Sequence, residues 1–107
     1  QLGTCLPFRL EANYSARDAR HFEWIDRTLD RLPAFGLTTE AGERATSCQA
    51  QMSTTGHHRV PPVDLMIAAI ADSEGIGVIH YDADYDLILE YSDLDFDSRW
   101  LAPRGSL

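Results

Sequence analysis

The segment from Val63 to about Ser73 is apolar nearly all the way round a helical projection, apart from Asp64 at its beginning and polar residues at its close. A helix of that kind has no face to turn to water, so it has to lie between other layers of structure. Pro61-Pro62 sets its start and Gly75 is placed to end it. Val78-Ile79-His80 then reads as a short buried strand, with Asp82 just beyond its carboxyl end.

The rest of the chain supplies the layers. Gln1 to Leu6 reads as the end of a strand, and Pro7 opens a short helix over Phe8–Tyr14 with Glu11 on its surface or facing a cleft. Asp18 is placed to cap a second helix, in which Phe22, Ile25, Leu29 and Leu32 recur on one stripe before Pro33 stops it. Phe35-Gly36-Leu37 suits a brief strand. Thr38 or Thr39 can cap a further helix, whose Ala41, Ala45, Cys48 and Met52 again share a face. Gly56-His57-His58-Arg59 is a polar loop, Tyr85, Ile88 and Leu89 mark a last short helix, and Ser98-Arg99-Trp100-Leu101 a last strand. Helices alternating with short apolar strands predict an α/β fold with a parallel sheet and helices on both faces.

With 107 residues and 44% hydrophobic side chains, the expectation is a single domain over residues 1–107 with one core. The longest unbroken apolar run, Leu65 to Ala71, falls far short of the ~20 residues that span a bilayer, and a soluble cytoplasmic protein is expected. Cys5 and Cys48 lie at unrelated spacing and are expected as small core residues. The formal net charge of -8 repels polyanions, so any function on nucleic acid has to account for the acids. A cation-binding cluster of carboxylates would account for some of them, and a basic partner covering an acidic face for others.

In open parallel sheets the ligand crevice lies beyond the carboxyl ends of the strands, which is where Asp82 falls. Asp64, opening the helix that precedes that strand, would approach it there. Two acids at one crevice can hold Mg²⁺ or Mn²⁺, which select carboxylate oxygen and keep waters for substrate. The plainer alternatives stay open: Asp64 is favourable at a helix start through the dipole alone, and Asp82, Asp84 and Asp86 can form a solvated turn. His80, at the end of a buried strand, is expected to be structural.

One stretch adds a resemblance. Pro62-Val63-Asp64-Leu65-Met66-Ile67-Ala68-Ala69-Ile70-Ala71, followed by Gly75 to Val78 and then Ile79-His80-Tyr81-Asp82-Ala83-Asp84-Tyr85-Asp86, resembles the VapC toxins of the PIN-domain ribonuclease family. Leu10-Glu11-Ala12-Asn13-Tyr14-Ser15-Ala16-Arg17 resembles the same family's second acidic motif, and Trp100 to Leu107 its usual tail. The resemblance implies a PIN-like three-layer α/β/α fold with a short parallel sheet. The family's first strand and first acid have no counterpart here, which would leave two strand edges unpaired.

Position by position, the resemblance implies that Glu11, Asp64 and Asp82 are the family's second, third and fourth acids, with Asp84 a supporting acid near the metal. The activity implied is Mg²⁺-dependent endoribonuclease cleavage, with Mn²⁺ able to substitute, by the toxin of a type II toxin–antitoxin system. Arg59, with His57 and His58 beside it, is then the candidate for gripping the scissile phosphate, and Arg17 a second. The partners implied are RNA, a small VapB-like antitoxin, which the negative charge would suit, and a second copy of the chain in a homodimer. An alternative is a catalytically inactive, truncated PIN-like interaction module. A phosphoacceptor receiver domain needs a lysine, and the chain contains none.

Overall fold

The computed structural model describes residues 3–57, 59–80 and 83–100. In chain order the elements are β1 (Thr4–Cys5), α1 (Leu6–Tyr14), α2 (Ala19–Leu29), β2 (Ala34–Phe35), α3 (Thr39–Ser53), α4 (Pro62–Glu74), β3 (Val78–His80), α5 (Asp84–Tyr91) and β4 (Ser98–Trp100). This is the alternating α/β order expected from the sequence, and local chemistry sets most of the boundaries. Asp18 caps α2 by accepting from the His21 N–H at 2.8 Å. Thr38, not Thr39, caps α3, its hydroxyl accepting from the Ala41 N–H at 3.1 Å. Gly75 ends α4 at φ 68°, a left-handed backbone in which any β-carbon is strained.

Among the described residues the strands form two separate parallel pairs. β1 runs beside β2 with Thr4 opposite Ala34, and β3 beside β4 with Val78 opposite Ser98. Between the pairs lies an apolar cavity of about 100 Å³ lined by Thr4, Cys5, Phe8, Ile70, Ile76 and Val78, among others. The side of β1 away from β2 and the side of β3 away from β4 thus carry no ladder among the described residues, as expected of unpaired edges. Thr4 is buried there, and its Oγ1 finds no hydrogen-bond partner among the described residues.

α4 is the centre of the core. Ala68, Ala69 and Ile70 are wholly buried, and the helix packs against α1, α3, α5 and β3. The stripe of α3 is buried as its spacing predicts, through Ala41, Cys48 and Met52, with Ala45 packed against them. Cys5 and Cys48 are free thiols in the core, and burial pushes both thiols up in pKa. Among the described residues no helix is long and apolar enough to cross a membrane.

α2 departs from expectation. Of its stripe only Leu29 is buried, while Phe22 remains 45% exposed and Trp24, off the stripe, is 65% exposed. The reason is that α2 packs mainly on α1, which leaves no second layer to cover the rest of its apolar face. Polar contacts add to that packing. Arg9 donates from Nε to Asp26 Oδ1 at 2.8 Å and from Nη2 to Asp30 Oδ1 at 2.7 Å, and Asn13 donates to Asp26 Oδ1 at 3.1 Å.

The Asn13 and Arg9 donors hold the Asp26 carboxyl below its ordinary pKa. A carboxyl lowered on folding stabilises above its unfolded pKa, and that contribution drains away as pH falls through the folded one. Asp26→Ala is therefore expected to lower the midpoint of urea unfolding at neutral pH, with the gap to the parent chain closing in the acid range where carboxylates protonate. A gap independent of pH would remove the Asn13–Asp26–Arg9 contacts as its cause.

Candidate functional site

Asp64 occupies the third position of α4, where the helix has not yet closed its own hydrogen bonds and a carboxylate is favoured by the dipole. Its own N–H is returned to the Pro61 carbonyl at 3.0 Å. The residue is only 8% exposed. Burying a carboxylate this far is costly unless polar groups or a cation meet it. One such group is the phenol of Tyr85, which donates to Asp64 Oδ1 at 3.2 Å from the first turn of α5. Tyr85 is itself buried, with its ring edge-on to Phe96 at 6.3 Å between centroids.

The Tyr85 bond brings the start of α5 against the start of α4, the meeting of segments on which the expected acidic site depends. Asp84 is the first residue of α5 and half-buried, with Asp86 in the same turn. Asp82, two residues ahead of Asp84, lies outside the described residues, as does His58. Glu11 sits exposed on α1 and borders a groove with Leu10, Tyr14, Val63 and Met66, so it faces the side of α4 next to Asp64 in sequence. Among the described residues no three His, Cys, Asp or Glu side chains converge closely enough to hold a metal ion. The oxygen donors suit Mg²⁺ or Mn²⁺ in kind, and Asp82, one of the expected ligands, lies outside the described residues.

The expected RNA-contacting residues are spread more widely. Arg59 is exposed in the segment leading into α4. His57 does not project freely: its ring stacks on Tyr91 at 4.2 Å between centroids, and its N–H donates to the Met52 carbonyl at 2.9 Å. Arg17 is exposed between α1 and α2, and its N–H donates to His21 Nδ1 at 3.1 Å. His80 ends β3, opposite Trp100.

Tyr85 is the site residue that the sequence marked as part of an apolar helix face and of the stretch that resembles the family, with no role of its own. The signal that could have singled it out is its place immediately after Asp84, on the turn that faces Asp64. Spacing alone does not separate a core tyrosine from one whose hydroxyl has a task.

No family model matches the chain. It is 36% identical over its whole length to ribonuclease VapC18 of Mycobacterium tuberculosis, covering 79% of that protein. Over 92% of its length it is 35% identical to ribonuclease VapC51 of the same organism, covering 70% of that protein. Over 75% it is 37% identical to ribonuclease VapC2, of which it spans 59%. Among solved structures, its fold is similar to the toxin–antitoxin complex VapBC-5 of M. tuberculosis, with a TM-score of 0.73 and 18% identity over 90% of this chain and 80% of that one. It is likewise similar to DNA-bound VapBC of Salmonella typhimurium, with a TM-score of 0.70 and 20% identity over 92% of this chain and 74% of that one.

Proposed function

This chain belongs to the VapC family of PIN-domain ribonuclease toxins, and from that premise we propose that it hydrolyses RNA phosphodiester bonds at a Mg²⁺ site lined by Asp64, Asp82 and Glu11, with Asp84 in support. The observation that carries the proposal is the buried Asp64 carboxylate at the start of α4, held by a tyrosine hydroxyl from the segment that follows Asp82. When bound, Mg²⁺ or Mn²⁺ would supply Lewis acidity toward the scissile phosphoryl group.

The side chains would do the rest. Asp64 or Asp82 orients the attacking water and accepts its proton as the new bond to phosphorus forms and the bond to the departing ribose oxygen breaks. Arg59 is suited to grip the phosphate, since a guanidinium matches two phosphate oxygens at once. The face of His57 is taken up by Tyr91, so it would contribute through a ring edge. Arg17, further along the surface, would meet the RNA backbone away from the cut.

A VapB-like antitoxin is the proposed protein partner. The net charge of -8 suits a basic segment of such a partner, which would compete with RNA for the acids. We place the pair in the cytoplasm, with the toxin as a homodimer.

The test is incubation of the purified chain with a structured RNA, with Mg²⁺, with Mn²⁺ and with a chelator. Cleavage is expected only with a divalent cation, and a VapB-like antitoxin is expected to suppress it. Cleavage that persists in chelator would overturn the metal site, and no cleavage in any condition would overturn the hydrolase reading in favour of an association module.

A further inference from the structure

We infer that Tyr85 is a positioning residue for the metal site, and that its hydroxyl sets the orientation of the Asp64 carboxylate toward the cation. The inference rests on the metal reading proposed above and adds a residue to it.

A carboxylate turns about its last torsion over a broad range, so a ligand of this kind is defined only when something fixes its plane. Asp64 begins a helix, where the backbone holds the Cα firmly but leaves the carboxyl group to its surroundings. The Tyr85 hydroxyl at 3.2 Å from Oδ1 supplies one such restraint. A phenol on a buried ring is a stiff donor. The ring is 5% exposed, is braced edge-on by Phe96 and sits one residue after Asp84 on α5, so its position follows the helix that leads away from the proposed site.

The chemistry also favours the hydroxyl. A neutral O–H donor steadies the carboxylate without competing for the cation as a lysine or arginine would. Hydrogen bonds to ligating carboxylates commonly govern metal affinity, and their loss weakens it by about 10- to 100-fold. Phenylalanine at position 85 would fill the same space and lose only the donor.

The experiment is Mn²⁺ titration of the full chain by electron paramagnetic resonance, with parent, Tyr85→Phe and Asp64→Asn compared, and folding checked by circular dichroism. Tyr85→Phe is expected to weaken Mn²⁺ binding about 10-fold at unchanged stoichiometry, with RNA cleavage restored by raising Mn²⁺. A ring that served packing alone would leave both readouts unmoved. Parent-like Mn²⁺ affinity in Tyr85→Phe, with binding lost in Asp64→Asn, would overturn the role of Tyr85 and leave the metal site standing. Parent-like affinity in Asp64→Asn would overturn the site itself. If Tyr85→Phe fails to fold, the parent chain still answers: Mn²⁺ should perturb a near-ultraviolet tyrosine band, and the absence of that change at saturation would overturn the proposal.

Discussion

Asp64→Asn is expected to abolish RNA cleavage, lowering the rate by at least about 10²-fold, while leaving the protein folded. The amide keeps the size of the side chain and an oxygen that can accept from Tyr85, so the packing at the start of α4 survives. What disappears is the negative charge, and with it both the attraction for a divalent cation and the capacity to take a proton from water. The thermal midpoint should barely move. A charge favoured by the helix dipole is lost, worth roughly 0.3–1 kcal/mol, but so is the cost of keeping a carboxylate on a residue only 8% exposed. Activity and stability should therefore part company. The check is cleavage rate and thermal unfolding on the same preparation, and a variant that cuts RNA at the parent rate would remove Asp64 from the mechanism.

Ile70→Ala should have the largest effect on stability, about 2–5 kcal/mol and toward the upper part of that range. Ile70 is wholly buried on the central helix and also lines the apolar cavity between the two strand pairs. A truncated side chain there would merge its void with space that already exists, and helices on several sides of α4 limit how far the surroundings can close in. Domains of this size hold only about 5–15 kcal/mol in total, so the variant would lose a large share of it. Ile70→Val, which removes one methyl group, should cost about 0.5–1.5 kcal/mol. Urea unfolding of the three chains measures both steps, and near-equal midpoints would mean that the cavity region collapses freely.

What could be read in the sequence was what local chemistry decides. The Asp18 cap, a threonine cap of α3 at 38 or 39, the proline start and glycine end of α4, and the buried face of α3 each depend on a few neighbouring residues, and the structure bears them out, with Thr38 the cap of α3. The exposed stripe of α2 was not legible, because a stripe records that a face is apolar and not whether another layer exists to cover it. Strand pairing was hard to read for a related reason: two- and three-residue strands carry too little pattern to specify neighbours.

The candidate site divides in the same way. Asp64 stood out because it opens the proline-led, alanine-rich segment that resembles the VapC family, an acid at a helix start being explained by the dipole alone. Its contact with Tyr85 spans 21 positions of sequence, and His57 reaches Tyr91 across the fold, so neither could be seen until the chain was folded. Glu11 reads the same exposed as it would at a cleft edge, since a surface glutamate needs no special neighbours.

The two strand pairs on either side of the cavity have a mechanical consequence. Backbone ladders transmit strain stiffly, and among the described residues they stop at the cavity, so there the β1–β2 side and the β3–β4 side are coupled through side-chain packing on α4. Packed side chains shear more easily than hydrogen-bonded strands. Among the described residues α4 is then the element through which a change on one side reaches the other, and Asp64 stands in its first turn.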